Sequence, residues 1–144
     1  MRLPRETLVA TVAADLSVTP WIMPRMRDFA YRLHSVFLPI SAGIGGDYTR
    51  LEIRNGAADV LARYDAPFQD GSETAVQWSP AGVGHTAISG VGGDYAQTAQ
   101  VEIPADLVIT PEMEVRISTS GATPAGISPV VVVFERLPGI LNRD

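Results

Sequence analysis

The chain has 144 residues, of which 46% are hydrophobic and 19% charged, with a formal net charge of −5 and no cysteine. These values exclude wholesale disorder, a disulfide-stapled scaffold, thiolate chemistry and cysteine metal sites, and they give no overall attraction to a phosphate backbone. One domain is expected, large enough to bury roughly 70% of the surface its unfolded chain would expose; no signal-peptide core and no apolar run near the ~18 residues of a membrane-spanning helix is found, so a soluble, non-exported protein is expected.

All eleven basic residues are arginine. Arg2, Arg5, Arg25, Arg27 and Arg32 load the start of the chain with positive charge while the remainder is acidic, an asymmetry suited to docking.

Residues 1–26 read as an extended N-terminal arm preceding a sandwich domain at 27–144, because Pro4, Pro20 and Pro24 interrupt a mixed sequence. Two readings of the arm stand. In one, LVATV at 8–12 folds back as an edge strand of its own domain. In the other, Trp21, Ile22, Met23, Arg25 and Met26 anchor the arm to another subunit, since aromatic, Met and Arg side chains are enriched at interfaces.

From Arg27 to Ile40 the sequence alternates, with Phe29, Tyr31 and Leu33 on one face and Arg32 and His34 on the other, which predicts a long strand. Residues 48–55 set Leu51 and Ile53 against Arg50, Glu52 and Arg54, and the turn pair Asn55-Gly56 predicts a hairpin. The returning strand groups Val60, Ala62 and Tyr64 on one face and stops near Pro67. Residues 72–79 alternate again, with Thr74, Val76 and Trp78 opposing Glu73, Ala75 and Gln77.

Residues 80–94 are glycine-rich and without periodicity, so a long loop with a contact role is expected. Two further strands follow. Ala99, Val101 and Ile103 oppose Gln100 and Glu102; Met113, Val115 and Ile117 oppose Glu114, Arg116 and Ser118. The closing PVVVVFERL suits a strand covered on both faces or paired at an interface. Seven or eight short strands with hardly any helix predict an all-β, antiparallel β-sandwich, with a jelly roll preferred to an immunoglobulin-like arrangement.

Catalytic chemistry finds few candidates. His34 sits beside Arg32 on an alternating strand, and His85 lies in the glycine-rich loop with no carboxylate nearby in sequence to orient it. Two histidines 51 positions apart without cysteine do not make a zinc site. The tetrapeptide Gly-Gly-Asp-Tyr occurs at 45–48 and 92–95, but one carboxylate per copy is too few for calcium and reads as an Asx-type turn into a strand. Glu112 and Glu114 would point the same way from one strand, about 6.5 Å apart, which on a polar face reads as solvation. No catalytic, cofactor or metal residue is assigned, and no enzyme is expected.

The order of elements resembles a group of small proteins encoded among the structural genes of tailed phages and prophages. The residues carrying the resemblance are YRLHSVFLPISAGIGGDYTRLEIRNGAADVLARY, then VEIPADLVITPEMEVRIS, then the valine-rich VVVVFERL, spanning about residues 29–137. The resemblance implies a virion component of the capsid decoration or cement type on the capsid surface. Its implied partners are the major capsid protein and further copies of the chain in a trimer or higher homo-oligomer, with no nucleic acid or membrane. Deleting residues 1–26 would then abolish capsid binding and leave the β-type circular dichroism unchanged. The alternative is a head spike or fibre domain that binds host glycan through the 80–94 loop, with His85, Tyr95 and Trp78 lining the site.

Overall fold

The computed structural model describes residues 4–12, 15–26, 28–39, 48–56, 59–66, 75–82, 98–121 and 129–138. Among these there is no helix, hence none long and apolar enough to cross a membrane. The strands are β1 (Arg5–Ala10), β2 (Trp21–Ile22), β3 (Tyr31–Pro39), β4 (Thr49–Asn55), β5 (Asp59–Ala66), β6 (Ala75–Ser79), β7 (Thr98–Glu102), β8 (Val108–Ile109), β9 (Met113–Thr119) and β10 (Val130–Arg136).

They form two sheets packed as a β-sandwich. One runs β1-β10-β3-β6-β7, with β8 also paired to β3; the other runs β2-β9-β4-β5. Leaving β7 and β8 aside, the first strand pairs the last, the second pairs β9, β3 pairs β6 and β4 pairs β5. The chain is wound like one long hairpin, its tip between β4 and β5, rolled into two layers. At that tip Gly56 has φ +65°, the left-handed conformation that glycine adopts without strain.

The core between the layers follows from alternation. Leu33, Val36, Leu38, Val76, Trp78, Val130, Val132 and Phe134 from the first sheet meet Leu51, Ile53, Val115 and Ile117 from the second. Two bulges shift the phase of that alternation. Val133 pairs Ser35 while Phe134 pairs Leu33, so His34 is the extra residue of a β-bulge in β3. Tyr31 and Leu33 face the core before it, Val36 and Leu38 after it. The shift turns Phe37 to the opposite face, where it forms a second buried cluster with Ala75 and Val131. In β5 the register slips between Ile53 and Arg54, making Leu61 the extra residue. The face expected to group Val60 with Ala62 and Tyr64 is therefore broken: Ala62 and Tyr64 pack on the core, while Val60 pairs Arg54 and is exposed.

Among the described strands one pair departs from the antiparallel rule: β6 and β7 run parallel, Ala75 opposite Thr98 through Ser79 opposite Glu102. A parallel pair needs a crossover of about a dozen residues or more, which accounts for the length of the connection at 80–97. Its residues 83–97 lie outside the described set.

The expected extended arm is built into the sandwich. Six positions of β1 pair with β10 without a register shift. Val12, Leu16 and Met23 lie in the main core, at most 2% exposed. The Met23 amide donates to the Val115 carbonyl at 2.9 Å, and β2 pairs with β9. Residues 5–23 thus contribute the first two strands of the roll, and no separable segment ends at 26. The physical reason is the outer edge of β10: without β1, a strand of four consecutive valines would leave one row of amides and carbonyls unpaired.

Candidate functional site

Where the chain passes from β1 to β2, an open cleft of about 260 Å³ is lined by Thr11, Val12, Leu16, Thr19, Pro20, Trp21 and Ile22. A turn at 15–19 makes one wall. The Asp15 carboxylate accepts from the Ser17 amide at 2.9 Å and the Ser17 hydroxyl at 2.7 Å, and the Asp15 carbonyl accepts from the amides of Val18 (3.1 Å) and Thr19 (2.9 Å). The Thr119 amide donates to the Leu16 carbonyl at 3.4 Å, tying the turn to the end of β9.

Val12 and Leu16 form the cleft floor and Trp21, half-buried, packs against the core. Of the lining residues Ile22 is 44% exposed; Val18, in the turn that makes one wall, is 78% exposed, and Val9 on β1 is 59% exposed. None of the lining residues titrates. The cleft can therefore hold an apolar side chain by burial, and it cannot move a proton. Pockets for whole drug-sized molecules run from about 300 Å³ upward; this one suits a side chain of a partner.

The five arm residues expected to contact a partner separate accordingly. Trp21 and Ile22 line the cleft; Met23 is a core residue whose sulfur accepts from the Tyr31 hydroxyl at 3.3 Å; Met26 is half-buried against the core; Arg25 is exposed. Burial pushes the Tyr31 phenol well above the usual tyrosine range. Sequence reasoning missed Val9 and Val18. Both are apolar in a stretch expected to be either strand or arm, and only the path of the chain shows which apolar residues stay outside.

The other candidates fare unequally. His85, Tyr95 and the aspartates Asp47 and Asp94 lie outside the described residues. Trp78, expected to line a glycan site, is fully buried, and its indole donates to the Tyr64 carbonyl at 2.8 Å, linking the two sheets; it cannot touch a surface ligand. Glu112 precedes β9 rather than sharing the strand with Glu114; a hydrogen bond from Thr110 holds its carboxyl below the usual range, while Glu114 pairs with Arg116. Among the described residues no group of three His, Asp or Glu side chains is placed to hold a metal ion.

The outer face of the second sheet is a lattice of charge. Register places Ser118, Arg50 and Asp65 in one row, Arg116, Glu52 and Arg63 in the next, and Glu114, Arg54 and Val60 in the third. Arg50 grips Asp65 through two bonds of 2.8 and 3.0 Å and lies 3.9 Å over the Tyr48 ring. The hydrogen bond to Asp65 raises the Arg50 pKa further above its ordinary value. Glu52 sits between Arg63 at 2.9 Å and Arg54 at 3.4 Å. Opposite charges meet across every shared row, so most charge on this face is paired within the chain; the exception in hydrogen bonding is the buried Arg54 Nε, which lies 3.4 Å from the Glu52 carboxylate but makes no hydrogen bond among the described residues.

A second groove, of about 390 Å³, lies at one end of the first sheet between Pro4, Glu6, Asp28, Phe29, Arg136, Leu137 and Pro138. Its cation is engaged: Arg136 makes two 3.0 Å bonds to Glu6 and stacks 3.9 Å over Phe29. The cleft beside β1 and β2 is the described surface that combines shape, apolar lining and exposed aliphatic side chains. No known protein family, curated protein or solved structure matches the chain.

Proposed function

We propose that this chain is a virion structural protein of the capsid decoration or cement type, which binds an assembled shell and stabilises it. The reading rests first on the apolar cleft, with Ile22 exposed in its lining and Val18 exposed in the turn that walls it. An apolar cleft with exposed aliphatic side chains beside a pinned turn suits the docking of another protein. The winding adds to this. Layers ordered first-last-third-sixth and second-seventh-fourth-fifth, counting the eight strands of the roll, are read here as a jelly roll, the architecture of many viral capsid domains.

Stabilisation would come from added buried area. A standard interface buries about 1,600 Å², and its repetition over a symmetric shell resists expansion without any single contact being tight. The partners in this reading are the major capsid protein and further copies of the chain.

The test uses capsids stripped of accessory proteins and re-incubated with the purified chain. Wild type should return to the particle fraction on a density gradient. Ile22→Asp and Val18→Asp, both at exposed positions, should stay at the top with circular dichroism and melting temperature unchanged. Undiminished binding by both variants would overturn the assigned surface, and failure of wild type to bind would overturn the function.

A further inference from the structure

Among the described residues the sandwich has five edge strands, and four carry features that keep edges from pairing with other chains. β2 and β8 are each two residues long. β5 carries the Leu61 bulge and exposes Asp59. β7 lies alongside β5, which closes that side of the sandwich. β1 has none of these. It is six residues long, unbulged, free of proline and lysine, and among the described residues no strand pairs with its outer side. Its two charges are already committed within the chain, Arg5 to Glu135 at 3.5 Å and Glu6 to Arg136 at 3.0 Å, so they do not guard the edge.

We infer that β1 is a self-pairing edge, on which a second copy of this chain docks its own β1 antiparallel across a two-fold axis, continuing the larger sheet through both molecules. Charge placement selects the antiparallel orientation of the second copy. Arg5 and Glu6 stand at one end of the strand and Leu8, Val9 and Ala10 at the other. A parallel mate in register would set Arg5 on Arg5 and Glu6 on Glu6; an antiparallel one sets both against uncharged residues.

Alternation narrows the register. Arg5, Thr7 and Val9 are exposed on one face; Glu6, Leu8 and Ala10 are half-buried on the other. Opposite residues in an antiparallel pair share a face, so the axis must pass through a residue, and five paired positions remain only when it passes through Thr7 or Leu8. The first places Thr7 opposite itself and Arg5 opposite Val9; the second places Leu8 opposite itself and Thr7 opposite Val9. Either covers Val9. The unit is a two-fold pair, in place of the trimer or larger ring expected from the resemblance.

The chain has no cysteine, so single cysteines read the register directly. In Thr7→Cys or Leu8→Cys, whichever residue lies on the axis should oxidise to a disulfide dimer on a non-reducing gel, since facing residues lie within bridging distance. By sedimentation equilibrium the wild-type chain should have twice the mass of one chain, and Thr7→Lys combined with Val9→Lys should have the mass of one, with unchanged circular dichroism and melting temperature. A wild-type monomer, a dimer that survives both lysines, or the lack of a cross-link at both positions would overturn the inference. No capsid enters these measurements, so their outcome is independent of the proposed function.

Discussion

Leu16→Ala is the sharpest probe of how the first two strands belong to the fold. Leu16 is 1% exposed, packs in the main core with Val12 and Met23, and forms part of the cleft floor. Truncating a buried leucine costs about 2–5 kcal/mol, rising with the cavity left behind. Because this side chain borders an open cleft into which water and neighbours can move, the cost should fall at about 2–3 kcal/mol. For a domain of this size each kcal/mol lowers Tm by roughly 3–4 °C, so a decrease of about 6–12 °C is expected by differential scanning calorimetry, with matching loss in a urea titration. A detachable arm would behave as surface, changing stability by less than about 0.5 kcal/mol; a Tm within about 2 °C of wild type would refute the integrated arrangement. Removing residues 1–26 carries the same logic further. It takes Val12, Leu16 and Met23 out of the core, at roughly 1.5–3 kcal/mol each, and strips β1 from β10 besides. That total rivals the 5–15 kcal/mol that holds a typical domain folded, about the whole margin. The truncated chain should lose its β-type circular dichroism rather than keep it.

Three further outcomes are expected. Tyr31 is held neutral by burial, its pKa raised in the folded state, so its contribution is complete below the unfolded pKa of about 10 and is lost as pH rises above it; urea midpoints from pH 8 to 11 should fall less steeply in Tyr31→Phe than in wild type, and parallel curves would contradict this. Gly56→Ala places a side chain at φ +65° in otherwise open space, which should cost about 1 kcal/mol by backbone strain alone; an unchanged melting temperature would show that the turn relaxes. Glu52→Gln removes the carboxylate that Arg54 and Arg63 share, and with Glu52 only 8% exposed the loss should be about 1–2 kcal/mol in a chemical denaturation curve. A loss near zero would mean that the lattice behaves as an ordinary solvated surface.

Strand existence was legible in the sequence because alternation is local: Leu51 and Ile53 against Arg50 and Arg54, or Val115 and Ile117 against Glu114 and Arg116, need only a half-buried pleated surface to be recognised. The Asn55-Gly56 turn was legible for the same reason, as the need for positive φ resides in one residue. The charge lattice on the second sheet was written there too, in the outward positions of β4, β5 and β9, although its rows required the register.

Three features were settled by contacts distant in sequence. The bulges at His34 and Leu61 reverse which residues face inward, and each exists because a partner strand fixes two ladders that are one residue out of step. The parallel setting of β7 on β6 depends on where a long connection returns, which no local pattern encodes. The fate of residues 5–23 is the largest case. By composition they read equally as arm or strand, and the free edge of β10 decides, since pairing β1 there satisfies a row of backbone groups and buries Val12, Leu16 and Met23 in the same step. Periodicity is a property of neighbouring residues and the sequence determined it; partner, direction and phase belong to the closed pair of layers, whose free energy is shared among strands far apart in the chain, and only the tertiary structure could decide them.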